Sequence, residues 1–287
     1  MNSMANYFNY SSGLFLKLYT NKNRQIFEKG GEKASKHLEG INGEYCVVYD
    51  DWDVNPEVVE EINKLHPKLQ MFKLAPRSKT VMMDSKISFT RLTKQSHYTP
   101  KSYLSMDEIP YDEESDEKLY FVKQNSTGGK GVNICNRKDI KDVYVSGSVI
   151  QENMLFPHLY NNRRYKIRAY GVIYEKKWYC FLRSFITVSG VEYKIGRNGR
   201  DMHVINQTAK TRFLMSYELD GYETIEKNII HSMEEMRRLY AKEVSSISGD
   251  EYAVLGVDVV VDEDLNVHII EMNHRSNYGH PLSVSEE

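Results

Sequence analysis

Short apolar runs separated by polar turns follow one another along this chain and predict strands more often than helices. Runs rich in β-branched and aromatic residues occupy residues 14–19, 45–49, 70–74, 119–123, 149–151, 165–174 and 178–187. The last two runs are neighbours and are predicted to pair as a hairpin.

Helical spacing of apolar positions occurs at residues 56–65, 84–92 and 224–244. In the first segment, Asn55 is a plausible N-cap and Pro56 occupies the first helical position. In the third segment, a stripe of apolar residues marks the buried face of an amphipathic helix: Ile229, Met233, Met236 and Tyr240. Strands precede and follow the helices without strict alternation, which predicts an α+β fold rather than a doubly wound one.

Composition narrows the classes of protein without naming one. The chain of 287 residues is long enough for one to three domains, and its 38 basic and 40 acidic residues nearly balance, so nothing indicates nucleic acid or a membrane surface as a partner. No apolar run is long enough to span a bilayer, and the first residues do not resemble a secretory signal. The 3 dispersed cysteines form neither a disulfide framework nor a zinc motif, so we expect a cytoplasmic protein.

The C-terminal part contains acidic residues inside an apolar hairpin. Asp258 lies in the first strand, and Glu271 and Asn273 lie two residues apart in the second, so the last two share a face. A four-residue turn at 263–266 would place Asp258 opposite Glu271, with Cβ atoms ~5 Å apart. Two carboxylates at that distance repel unless a cation lies between them. Oxygen ligands of this kind suit Mg²⁺, which predicts a metal site used with substrate phosphates; the alternative is a hairpin with solvent-facing acids.

A lysine followed by a glycine-rich loop is the second candidate. Lys123 ends the apolar run at 119–123, and Gly128, Gly129 and Gly131 follow it. Glycines let backbone N–H groups approach phosphate oxygens, and the lysine could reach the same phosphates. The sequence lacks the spacing of a P-loop, so a hairpin turn after a solvated lysine is an equal alternative.

Two further segments carry polar residues at strand positions. Residues 151–154 (Gln151, Glu152, Asn153 and Met154) follow an apolar run and either form a hinge whose backbone recognises adenine or simply end a strand. Arg164, Lys166 and Arg168 share one face of the next strand, and Arg183 lies on the strand after it. Such cations repel unless anions lie between them, so phosphate or carboxylate is the expected ligand; the alternative is a solvated sheet face.

Taken in order, these motifs resemble the ATP-grasp superfamily and, more closely, its tubulin tyrosine ligase-like family, over about residues 80–280. Asn162-Arg-Arg-Tyr-Lys-Ile-Arg168 is similar to that family's Gly-Arg-Lys-Phe-Asp-Leu-Arg, and His203-Val-Ile-Asn206 to its His-Leu-Thr-Asn. Leu255-Gly-Val-Asp258 and Ile269-Ile-Glu271-Met-Asn273 are similar to its Gly-Phe-Asp and Leu-Leu-Glu-Val-Asn. The chain departs from the family at three places: Lys166 replaces an aspartate, Ile205 replaces a threonine, and His274-Arg-Ser-Asn-Tyr-Gly-His280 follows Asn273 where the family usually has Ser-Ser-Pro.

The resemblance implies an ATP-grasp fold with an N-terminal β/α subdomain (1–82), a lid (83–148) and a C-terminal subdomain with the metal site (149–287). It implies ATP and Mg²⁺ as cofactors. Lys86, Lys123 and the loop glycines would contact the ATP phosphates, Arg164 would also face ATP, and residues 151–154 would hold adenine. Arg168 and Arg183 would bind the carboxylate being activated or the tetrahedral intermediate, and Asn206 would line the same site. Mg²⁺ would be held by Asp258, Glu271 and Asn273.

The implied activity is an ATP- and Mg²⁺-dependent ligase that joins an amino acid to a carboxylate-bearing acceptor, such as a protein tail or peptide, through an acyl phosphate. Neither nucleic acid nor membrane is an expected partner. Two alternatives stay open on the sequence: a catalytically inactive nucleotide-binding module, and an ATP-grasp ligase that acts on small peptides or metabolites. Lys166 and Ile205 favour the inactive module, whereas Lys123, Asp258, Glu271 and Asn273 favour a working enzyme.

Overall fold

A computed structural model describes residues 15–18, 45–49, 64, 69–111, 118–124, 131–194, 203, 205 and 212–274 of the chain. The side chains of residues 15–18, 45–49, 69–74, 181–185, 212 and 213, and those of Arg77 and His274, are outside this description. Most of the helix predicted at 56–65 also lies outside the described residues; Lys64 alone is described there, and it is helical.

The larger sheet has eight strands and joins the beginning of the described chain to its end. Three short parallel strands form one side: β1 (Phe15–Leu18), β2 (Tyr45–Tyr49) and β3 (Leu69–Leu74). Four long strands and one short strand, β10, form the rest: β8 (Tyr165–Tyr174), β9 (Lys177–Val188), β10 (Arg212–Met215), β11 (Glu251–Val261) and β12 (Val267–His274). Their order is β1-β2-β3-β11-β8-β9-β10, and β12 also pairs with β11. The predicted hairpin at 165–187 is confirmed as the antiparallel pair β8–β9.

A second sheet of four strands precedes the long ones in sequence. It contains β4 (Ser102–Tyr103), β5 (Leu119–Lys123), β6 (Val132–Asn136) and β7 (Val149–Glu152), in the order β4-β7-β5-β6. Its own small core contains Tyr120, Val122, Ile140 and Ile150, each almost fully buried. The antiparallel β5–β6 pair encloses residues 124–131, the segment that contains the glycine loop. Strand β7 therefore pairs within this sheet, although it begins at the predicted boundary between 148 and 149.

The helix predicted at 84–92 begins two residues later in the structure, and a helix that was not predicted precedes it. In chain order they are α1 (Arg77–Asp84) and α2 (Lys86–Leu92), and Ser85 lies between them in an extended conformation. The Ser85 hydroxyl accepts a hydrogen bond from the Ser88 N–H at 3.3 Å and caps α2. Serine at this position competes with the helical backbone, so one helix ends and another starts. A four-residue helix, α3 (Ile140–Val143), packs under the smaller sheet.

The amphipathic helix predicted at 224–244 is divided into α4 (Tyr222–Leu239) and α5 (Ala241–Ser246), with Tyr240 at the junction. The predicted apolar stripe is confirmed as its buried face, because Ile229, Met233, Met236 and Tyr240 are at most 2% exposed. These side chains join the aliphatic residues of β8 and β11 in the main core. Both sheets thus place one face toward a core and leave another face for polar residues.

The α+β class predicted from the sequence is confirmed by this mixture of helices with largely antiparallel strands. In the part of the chain that the structure describes, none of the helices has the length and apolar character needed to cross a bilayer. The assignment to ATP-grasp and the domain limits at 82 and 148 stay predictions.

Candidate functional site

The C-terminal hairpin pairs Asp258 with Glu271, as the sequence predicts. The hairpin differs from the predicted one in two ways, and their effects on the register of the strands cancel. The connection is one residue longer than the predicted turn, because the last pair of the ladder is Val261 with Val267. That change alone would place Asp258 opposite Ile270. A bulge between Asp258 and Val259 adds one residue on β12 and restores the pairing with Glu271.

Asp258 is nearly fully buried, at 2% exposure, and contacts two cations. The Lys166 Nζ donates to Asp258 Oδ2 at 2.8 Å, and the Arg168 Nε lies 2.6 Å from Oδ1. Among the described residues, Oδ1 has no hydrogen-bond donor, although its charge is paired with that of Arg168. Burial alone would raise the pKa of Asp258, but Lys166 and Arg168 outweigh burial and hold that pKa below its ordinary value.

The basic strand has the alternation that its sequence predicts. In β8, Tyr165, Ile167 and Ala169 are buried in the core, and Lys166 and Arg168 between them are only partly buried on the opposite face. Arg168 is the ladder partner of Asp258 on β11, which explains why their side chains meet. The solvated-face alternative is therefore wrong for Lys166 and Arg168, because their heads lie against a buried carboxylate.

Lys123 ends β5 beside the predicted hinge. Its ammonium donates to the Gln151 side-chain oxygen at 2.6 Å and lies 5.8 Å from the centre of the Phe121 ring. No carboxylate of the described residues lies within ion-pair distance of it. Burial lowers the pKa of Lys123 to about 8; Glu271 partly opposes this effect, and Lys86 at the start of α2 adds to it. Lys123 is therefore partly buried and hydrogen-bonded, and its predicted contact with phosphate stays a prediction.

Arg164 lies on the other side of the hinge and is 5% exposed. One guanidinium nitrogen, Nη1, donates to Asn153 Oδ1 at 2.9 Å, and the other, Nη2, lies 3.4 Å from the Met154 carbonyl. The guanidinium also lies over the Tyr193 ring, 5.3 Å from its centre. All these partners are neutral, and burial lowers the pKa of Arg164 to about 10. A buried cation without a carboxylate is costly unless an anion approaches it.

His203 is a member of this cluster that residue-by-residue reasoning missed. It is buried, and its Nδ1 lies 2.6 Å from Arg164 Nη1 and 3.4 Å from Asn153 Nδ2. A guanidinium can only donate, so Nδ1 accepts and the imidazole proton resides on Nε2. The rings of Phe121 and Tyr193 approach His203 edge-on. The one signal in the sequence was the similarity of His203-Val-Ile-Asn206 to a family motif.

The predicted hinge at 151–154 is fixed by contacts of its own. Gln151 accepts from Lys123 and donates to the Ser102 hydroxyl at 3.1 Å, and Glu152 accepts from the Tyr103 hydroxyl at 2.7 Å. The backbone N–H groups of Glu152 and Asn153 donate to carbonyls of neighbouring segments. The side chains therefore position the cations around the hinge, and adenine recognition by its backbone stays a prediction.

Several predicted site residues lie beyond what is described. Gly128, Gly129 and Asn206 are outside the described residues, and Gly131 has a φ of 70°, which glycine adopts without strain. Arg183 lies on β9 within an irregular stretch, where two extra residues separate the pairs Arg168–Phe185 and Tyr170–Phe181. The Arg183 side chain is outside the description.

A magnesium site was predicted at Asp258, Glu271 and Asn273. The donor types fit, because two carboxylates share one hairpin and the Asn273 Nδ2 lies 3.1 Å from Glu271 Oε1. Asp258 is already in contact with two cations, however, whereas neither Lys166 nor Arg168 forms an ion pair with Glu271. Among the described residues, no group of three or more His, Cys, Asp or Glu side chains is arranged to hold a metal.

Comparison with known proteins adds no relative to this picture: no protein-family model matches the chain, and no curated protein matches it at a significant level.

Proposed function

We propose that this protein is an ATP-dependent carboxylate–amine ligase of the ATP-grasp type. The observation that carries the proposal is a pair of cations at the hinge between the two sheets, of which Arg164 is buried and Lys123 is partly buried. Lys123 and Arg164 contact neighbouring hinge residues, Gln151 and Asn153, and the hydrogen-bond partners of both cations are neutral. An arrangement of this kind is stabilised by an anion from outside the protein, and a nucleoside triphosphate supplies one with several negative oxygens.

The remaining groups suit the other parts of such a reaction. Glu271 and Asn273 would hold Mg²⁺ together with the phosphates, next to Asp258, whose carboxylate is already paired with Lys166 and Arg168. The ion would neutralise phosphate charge when bound. The loop with Gly128, Gly129 and Gly131 would cover the phosphates, and residues 151–154 would hold the adenine. Lys86 begins α2 close enough to Lys123 to depress its pKa, which is compatible with a shared anion.

In the proposed reaction, a carboxylate oxygen of the acceptor attacks the γ-phosphorus of ATP, and the bond to ADP breaks. The resulting acyl phosphate is attacked by the amine of an amino acid, and phosphate leaves as the amide bond forms. Arg168 would offset the negative charge that develops on the oxygens, together with Arg183 and Asn206. The protein contributes position and exclusion of water rather than a covalent nucleophile.

A nucleotide-binding module without ligase activity is the second candidate, and one contact favours it. Lys166, which stands where the similar family has an aspartate, forms an ion pair with Asp258 at 2.8 Å. A lysine in place of that aspartate removes a potential metal ligand. It also places a second cation next to Arg168 at the same carboxylate. Binding of ATP without turnover would be the signature of such a module.

The experiment that separates the two candidates is a measurement of ADP release with ATP, Mg²⁺, each amino acid and a panel of carboxylate acceptors. The ligase predicts ADP release that requires both an amino acid and an acceptor. Lys123→Met should abolish it, and Lys138→Met, which changes an exposed lysine of the same smaller subdomain, should not. ATP binding without ADP release for every pair would favour the module, and absence of ATP binding would overturn both candidates.

A further inference from the structure

Asp258 is the only predicted metal ligand whose carboxylate already contacts protein cations among the described residues. Its side chain is 3% exposed, and that of Lys166 is 17% exposed, so both charges are largely removed from water. The ion pair is therefore screened less than one at the surface. Arg168 contacts the other carboxylate oxygen at 2.6 Å.

Two cations on one carboxylate exceed what charge neutrality at Asp258 requires. Arg168 is the ladder partner of Asp258, and its single charge would be enough to neutralise that carboxylate, as in other cross-strand ion pairs. Lys166, two residues earlier on the same face of β8, brings a second positive charge. Asp258 is already paired without the second charge. We therefore expect Lys166 to act on an incoming ligand, by attracting an anion or repelling a metal ion.

We propose that the Lys166 ammonium is a built-in cation that takes the place of a divalent ion at Asp258, so that nucleotide binding depends only weakly on Mg²⁺. This inference rests on the proposed nucleotide site and concerns its cation requirement. In the free protein, Asp258 attracts no metal, because a lysine and an arginine already neutralise it. When a triphosphate binds, Lys166 supplies positive charge that would otherwise come from a second metal ion, and Glu271 and Asn273 are left to hold one ion with the phosphates.

The first test measures ATP affinity by calorimetry in excess Mg²⁺ and in EDTA, and compares the ratio of the two dissociation constants between variants. Wild type should lose less than about tenfold in EDTA, whereas Lys166→Met should lose at least tenfold more than wild type does. Lys177→Met is the matched control, because Lys177 is an exposed lysine at the turn of the same hairpin, and its ratio should equal that of wild type. Equal ratios in wild type and Lys166→Met would overturn the inference.

The second test needs no nucleotide and therefore keeps the inference separate from the proposed function. Binding of Mn²⁺ alone is followed by electron paramagnetic resonance. Wild type should bind no Mn²⁺ at submillimolar concentration. Lys166→Asp, which leaves Asp258 Oδ2 without its lysine and adds a carboxylate, should gain one site. That site should disappear in the double variant Lys166→Asp/Asp258→Asn.

The outcomes of the two tests have distinct meanings. If wild type binds no ATP with or without Mg²⁺, the proposed function fails, and the Mn²⁺ experiment still decides the role of Lys166. If wild type already binds Mn²⁺ and Asp258→Asn removes the ion, Lys166 does not replace a metal and the inference is wrong. Thermal melts of each variant show whether it is folded, and Arg168 remains beside Asp258 in all the Lys166 variants.

Discussion

The two groups of cations that this protein brings near one another differ in what balances them. Lys166 and Arg168 contact Asp258, a buried carboxylate of the neighbouring strand. Lys123 and Arg164 contact amide and carbonyl oxygens at the hinge and have no carboxylate partner within the described residues. We call the first group the paired cations and the second group the hinge cations.

This difference separates stabilisation from binding. Removing one member of a buried ion pair leaves its partner as an uncompensated charge, so the paired cations and Asp258 should matter most for the fold. Neither hinge cation has a carboxylate at contact distance among the described residues, and Glu271 only partly offsets the burial of Lys123, so the hinge cations should matter most for an external anion. The following predictions test that division, beginning with the largest expected effect.

Asp258→Ala should reduce the free energy of unfolding by about 3–5 kcal/mol, because it leaves Lys166 and Arg168 without their shared carboxylate. Urea denaturation measures the loss. Glu271→Ala is the matched comparison: Glu271 is the ladder partner of Asp258 but has no ion pair at contact distance, so stability should change by less than about 1 kcal/mol. Equal losses in the two variants would contradict the paired role of Asp258.

Arg164→Met should weaken ATP binding by about a hundredfold, since a charge-assisted hydrogen bond to phosphate is worth about 1.5–3 kcal/mol. Unfolding should change little, because the loss of a costly buried charge offsets the loss of hydrogen bonds to Asn153 and His203. Calorimetry measures the ATP affinity, and urea denaturation measures the free energy of unfolding. Arg91→Met, which changes an exposed arginine of α2, should alter neither quantity. A large stability loss with unchanged affinity would show that Arg164 is purely structural.

Lys123→Met should weaken ATP binding by about tenfold, less than the change at Arg164, because a lysine makes a point-charge contact rather than a forked one. The Gln151 side chain loses one donor but keeps its contact with Ser102. A titration of ATP by calorimetry measures the effect, and Lys138→Met serves as the control. Unchanged affinity in Lys123→Met would remove Lys123 from the binding site.

The smallest expected effect is on pH dependence. Because the pKa of Lys123 is lowered to about 8, the folded protein loses this proton above that pH, whereas the unfolded chain keeps it to its ordinary value of 10.5. This group therefore makes unfolding less favourable as pH rises through that window. ATP affinity should change in the opposite direction and fall several-fold between pH 8 and 9, with uptake of a proton on binding. Lys123→Met should abolish this pH dependence, and a wild-type-like profile in that variant would assign the titration to another group.

Much of the secondary structure followed from local pattern. The strands at 45–49 and 119–123 were predicted to the residue, and the apolar stripe of α4 is the buried face of that helix. Two features were missed: α1, where no helix was predicted, and the break at Tyr240, which separates α4 from α5. Hydrophobic periodicity continues across such a break, so it cannot locate the break.

The sequence by itself determined that Lys166 and Arg168 share one face of a strand and that Asp258 and Glu271 share a hairpin, because strand periodicity depends on neighbours a few residues apart. It was wrong to place Arg164 on that strand. Only the tertiary structure decided which cation meets which partner. Lys166 and Arg168 meet Asp258 because β11 pairs with β8 across about ninety residues of chain, whereas Arg164, just before β8, turns toward Asn153 and His203. Pairing between distant strands depends on register and on a bulge, and neither is encoded in local spacing.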